Sequence, residues 1–169
     1  MTLVHTLAHA LVPWKSLYSD SKAVASVVTG VHLVGVLFGG GLAVAADRMT
    51  LRAHRREPSD RARALAELHA VHRPVLLALA VLFLSGVALA AADIETFLGS
   101  PIFAIKLLLV TLLLANGVVL MRTERALRSA TDGPGRETRL WQRLRTNAYL
   151  SLLLWTCTVV AGTVLVNAA

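Results

Sequence analysis

One cysteine, three lysines and an aromatic content of only 5% are all that this chain of 169 residues has of those types. The single cysteine, Cys157, lies inside an apolar run. It allows no internal disulfide, and cysteine usage therefore does not report the redox compartment. Charged residues make up only 16%, against about 25% in an average soluble domain. No Lys or Arg precedes Lys15, so the basic n-region of a secretory signal is missing, and the start of the chain reads as part of the mature protein. There is no internal repeat, no low-complexity segment and no visible catalytic constellation.

What is present is apolar. Hydrophobic residues reach 56% and the mean hydropathy is +0.64, which suits a bilayer as solvent. The length allows one domain. A net charge of +7 raises the question of nucleic acid, but the placement of the charge answers it. The basic residues alternate with long apolar runs, as cytoplasmic loops of membrane proteins do. No nucleic-acid partner is expected.

A helix crossing the hydrocarbon core needs about 20 mostly apolar residues. Four stretches qualify: residues 23–46, 74–92, 101–121 and 147–166. The segments 47–73 and 122–146 hold all fourteen arginines, whereas 93–100 holds two acids and no base. The positive-inside rule then places both arginine segments in the cytoplasm, where they meet anionic lipid, and both termini outside. The expected fold is all-α: an integral membrane four-helix bundle of up-down topology, forming a single domain. Pro74 and Pro101 are expected at or near helix starts, where a missing N–H costs little.

Outside the spans, residues 59–68 are rich in helix formers and begin with a Ser-Asp cap, so the second span is expected to begin early as a helix. The run Thr131-Asp132-Gly133-Pro134-Gly135 signals a turn, and Trp141 suits the inner interface. Residues 2–12 are apolar but too short to cross. They are expected to form an interfacial helix that Pro13 ends or kinks, with Trp14 and Tyr18 at the headgroup level.

Among candidate site residues His32 weighs most. It lies about 15 Å into the first span at 1.5 Å per residue, near the midplane. Gly35 and Gly39 share its face and let another helix or a flat cofactor approach closely. An ionisable residue at that depth is by default a functional hypothesis; the plainer reading is a neutral imidazole bonded to a Ser or Thr. Ser85, Thr111 and Cys157 fall at a similar level, so His32 with Cys157 is a candidate metal pair. His5 and His9, at i and i+4, form a weaker one, with Asp20, Asp93 and Glu95 on the same side. His69 and His72 lie roughly 15 Å from the midplane, too far to pair with His32 across one haem, and read as interfacial. Lys106 snorkels toward Asp93 or Glu95, or else meets an anionic group such as a haem propionate. Asn116 is expected to hydrogen-bond across helices.

Two patterns carry a resemblance. One is His32-Leu33-x-Gly35 with Gly39-Gly40 and an Asp47-Arg48 exit. The other is Pro101-x-Phe103-x-x-Lys106 with Asn116 beyond it. Over spans one to three the chain resembles small bacterial membrane proteins related to the copper-resistance protein D family and its four-span relatives. The resemblance implies a bacterial cytoplasmic (inner) membrane location and, for some relatives, haem or copper handling. The chain departs from that pattern in having a single deep histidine and only Met1 of three methionines on the outer side. Two function classes follow. One is an accessory or scaffold protein without catalysis, its glycines packing on a partner subunit or a second copy. The other is a redox protein with haem b on His32, Gly35, Gly39 and Lys106. The first asks less of the residues present.

Overall fold

The computed structural model describes residues 3–53, 58–129 and 133–168, and every regular element among them is a helix. Two short helices, α1 (Leu3–Ala10) and α2 (Val12–Asp20), precede the long α3 (Lys22–Ala53) and α4 (Pro58–Ala92). A six-residue α5 (Ile94–Gly99) leads into α6 (Pro101–Arg128) and α7 (Gly133–Ala168). Four helices, α3, α4, α6 and α7, are long and apolar enough to cross a membrane. They form an up-down bundle, and the chain is a multi-pass membrane protein.

The helices run well past their apolar spans. Residues 47–53 continue α3, 58–73 open α4, 122–128 extend α6 and 133–146 open α7. The arginine segments are therefore largely helical, because arginine is a good helix former and an exposed helix needs no apolar run. Within the Thr131–Gly135 turn signal, Gly133 already belongs to α7, and residues 130–132 lie outside the described residues.

Pro74 does not begin a helix: it lies inside α4. Its missing N–H removes one helical bond, to the carbonyl of Ala70. Pro101 does begin one. Ser100 caps α6 by accepting the Phe103 N–H at 3.4 Å, and the last turn carries Arg125 and Arg128 against the negative end of the helix dipole. Pro13 also starts a helix rather than ending one, since it sits in the first turn of α2.

The N-terminal pair is tied to the bundle. Trp14 Nε1 donates to the Ala88 carbonyl of α4 at 2.9 Å, and Tyr18 Oη lies 3.3 Å from Thr29 Oγ1 of α3. Ion pairs join α1 to α5 (His5–Glu95, 3.8 Å) and α2 to the start of α5 (Lys15–Asp93, 3.5 Å).

In the bundle α3 packs on α4, α6 on α7, and α3 on α7, and among the described residues α4 and α6 approach each other less closely than these pairs. Large apolar side chains point outward, with Leu37 70%, Leu77 69% and Leu84 67% exposed to what is lipid in the membrane. Lipid is as apolar as leucine, so nothing drives these side chains inside. The densest core sits at the arginine-rich end, where Ala53, Leu65, Leu127, Trp141 and Leu144 cluster. Trp141 is 1% exposed and lies in that core. Its Nε1 donates to Glu137 at 3.3 Å, and the Arg61 guanidinium stands 5.6 Å from its ring.

Candidate functional site

His32 projects from α3 toward α4. Its Nδ1 lies 2.9 Å from Ser85 Oγ. Ser85 has one hydroxyl hydrogen, and Oγ lies 2.7 Å from the Val81 carbonyl and 3.2 Å from that of Leu82. Those carbonyls can only accept, so the hydroxyl donates to its own helix. Oγ must then accept from Nδ1–H of His32. In a neutral imidazole this leaves Nε2 as a bare lone pair. Metal-ligating histidines are commonly oriented in this way, by donating the other ring N–H to a neighbouring group.

Small residues make room for the ring. Gly86 stands beside it, and a Cβ there would meet Cε1 at 3.4 Å. On α3, a Cβ at Gly35 would meet Leu82 Cγ at 3.1 Å, and one at Gly39 would meet Ala78 Cβ at 3.2 Å. The close approach that these glycines permit is taken by the chain's own α4. A Cβ at Gly40 would stand 3.6 Å from the Trp155 ring, while Gly30 and Gly41 face open space.

Lys106 comes from α6 and rests against α7, where a Cβ at Gly162 would stand 3.5 Å from Nζ. The expected acidic partners are engaged elsewhere, Asp93 with Lys15 and Glu95 with His5. Lys106 has no ion pair among the described residues. Asn116 bonds across helices as expected, its Nδ2 donating to the Asn147 carbonyl of α7 at 3.0 Å.

The remaining candidates stay apart. Among the described residues no three His, Cys, Asp or Glu side chains come close enough to hold a metal ion. Cys157 is a half-buried free thiol without a described contact to His32. His9 is exposed, and Asp20 accepts from Ser16 and Ser19 rather than joining His5. Thr111 turns its hydroxyl back to Leu107 of its own helix. The His72 side chain lies outside the described residues.

Two polar groups at the arginine-rich end escaped sequence reasoning. Glu124 of α6, 2% exposed, pairs with Arg128 at 3.1 Å and His69 of α4 at 3.8 Å, while Arg128 Nη2 donates to the Leu65 carbonyl of α4 at 2.6 Å. This clamp ties α4 to α6 at one end. His69 thus has a buried carboxylate as its partner. The other group is Asp47 of α3, 3% exposed, which lines a cavity between the long helices. The one available signal was that each of these charges abuts an apolar run. No family model, curated protein or solved structure matches this chain.

Proposed function

We propose that this protein is an accessory component of the bacterial cytoplasmic membrane that binds rather than catalyses, with His32 as its binding residue. The observation that carries the reading is the 2.9 Å contact between His32 Nδ1 and Ser85 Oγ across two membrane helices. With Ser85 accepting the Nδ1–H, a neutral ring keeps its lone pair on Nε2, and polar groups between membrane helices are costly and functional by default. Lys106 adds a basic group without an ion pair among the described residues.

The residues that would hold a haem b are His32, through a ring nitrogen, and Lys106, which would neutralise an anionic group of it. The iron would supply redox or ligand-binding chemistry, while the chain orients Nε2 through Ser85 and keeps water out with its apolar helices. The relationship to the copper-resistance protein D group, proposed on the His32-Leu33-x-Gly35 and Pro101-x-Phe103-x-x-Lys106 patterns, agrees with this reading. So does an orientation with both arginine-rich ends in the cytoplasm, against anionic lipid.

The test is an absorption spectrum of the purified protein, expressed with haem supplied. A Soret band that disappears in His32→Ala and persists in His69→Ala is the expected result. A colourless, metal-free preparation would sink the cofactor reading.

A second reading keeps the accessory role and needs no cofactor. The outward face of α3 around Val27, Gly30, Val31, Val34 and Phe38 forms an apolar groove with Ala78 and Val81 of α4. Gly30 lies open in it, which favours a helix of another subunit or a second copy. A cross-link formed by Gly30→Cys in native membranes supports this reading, and its absence counts against it.

A further inference from the structure

The interior of the bundle holds a second polar feature, about 22 Å along α3 from His32 at 1.5 Å per residue. The Asp47 carboxylate lines a cavity of about 180 Å³ between the four long helices. Its Oδ2 is buried and has no hydrogen-bond partner. Ser151 of α7 interacts with the carboxylate, but the Thr50 hydroxyl is spent on the Ala46 carbonyl at 3.0 Å. No cation among the described residues pairs with Asp47. Burial without a charged partner pushes the Asp47 carboxyl up to about 7, and a cation bound beside it would restore the charged form.

The walls define what would complete it. Apart from Asp47, Thr50 and Ser151 they are apolar, built mainly from leucine and valine, with the Trp155 ring at one side. A hard metal ion needs about six oxygen ligands, which three polar side chains do not supply. A purely apolar guest would leave the carboxylate unpaired. A cation with an apolar body meets every wall: its charge pairs with Asp47, Trp155 offers a cation–π face, and the aliphatic walls take the rest. An apolar cavity of ~150 Å³ accommodates benzene, so a guest of one ring or a short branched chain suits this volume.

The way in is lateral. Among the described residues α4 and α6 approach each other less closely than the other neighbouring long helices, and the cavity is lined there by Leu76, Leu114 and Val118, all exposed. The Glu124–Arg128 clamp joins these two helices only at their arginine-rich end. We propose that the cavity floored by Asp47 is a binding site for a small lipophilic ammonium ion that enters from the bilayer between α4 and α6. The site is independent of His32.

The test uses the full-length protein in nanodiscs, with benzylammonium as the charged probe and ethylbenzene as its neutral counterpart, read by titration calorimetry. One saturable site for benzylammonium is expected. Asp47→Asn should weaken it roughly 10- to 100-fold, the worth of one hydrogen bond to a charged group. Gly117→Leu keeps the carboxylate and plugs the cavity, because Gly117 lines it and a Cβ there meets nothing within 4 Å. It should abolish binding while the elution profile and helical content stay native. The proposal is overturned by the absence of saturable binding, by equal affinity for ethylbenzene, or by benzylammonium binding that survives Gly117→Leu.

Discussion

Ser85 accepts the Nδ1–H of His32 at 2.9 Å while its own hydroxyl donates to the Val81 carbonyl at 2.7 Å. One hydrogen therefore fixes the direction of two bonds and the tautomer of the ring. Ser85→Ala removes the acceptor and frees the imidazole to turn. Interhelical hydrogen bonds in membranes are worth about 0.6 to 1.7 kcal/mol, and the variant should lose roughly that much against unfolding in mixed micelles. An unchanged unfolding midpoint would show that the bond adds nothing to stability.

The glycines of α3 divide into two sets. At Gly35 and Gly39 a Cβ would press on Leu82 and Ala78 at 3.1 to 3.2 Å, whereas at Gly41 it meets open space. Gly35→Val should push α4 away and cost about 1–3 kcal/mol, as overpacking does. Gly41→Ala should be neutral or stabilise by up to ~1 kcal/mol through helix propensity. The two are compared by thermal unfolding in one detergent. Equal effects would mean that α3 and α4 do not meet along this face.

Trp141 should be the costliest truncation in the chain. It is 1% exposed among Ala53, Leu65, Leu127 and Leu144, and Trp→Ala in a packed core costs about 3–5 kcal/mol. Leu84→Ala, 67% exposed toward lipid, should cost far less. Measuring both in the same unfolding assay checks where the stabilising core lies.

The Glu124–Arg128 clamp makes an asymmetric prediction. Arg128→Ala leaves a buried carboxylate with less to hold it and removes the tie to the Leu65 carbonyl. Losing one partner of a buried pair costs about 3–5 kcal/mol, so this change should exceed Glu124→Gln, which removes the charge itself. A double-mutant cycle between the two positions should show coupling. Strict additivity would argue that the pair contributes nothing jointly.

Orientation can be read by labelling. In a Cys157→Ser background, Thr96→Cys on α5 should react with an impermeant thiol reagent added outside the cell. Arg136→Cys should react only after the membrane is opened. The reverse pattern would invert the assignment of the arginine-rich ends.

The spans, their number and the all-α class were determined by the sequence alone, because a hydrocarbon slab imposes one requirement: about 20 apolar residues with every backbone group satisfied internally. His32 stood out for the same reason, as did its possible serine partner at equal depth. Helix ends were less legible. A polar arginine segment reads alike as loop or as exposed helix, and Pro74 reads as a start although α4 runs through it. Tertiary structure alone decided what each polar group faces. Asp47 and Glu124 read from sequence as charges at span ends, yet both are buried, because α3 and α6 carry them past the apolar boundary into contact with neighbouring helices. Burial depends on which faces of separate helices meet. In lipid, hydrophobic pattern does not choose those faces, since leucine against lipid and leucine against leucine are nearly equivalent. Small residues and polar contacts choose them, and here those are Gly35 and Gly39 against α4, Ser85 with His32, and Asn116 with Asn147.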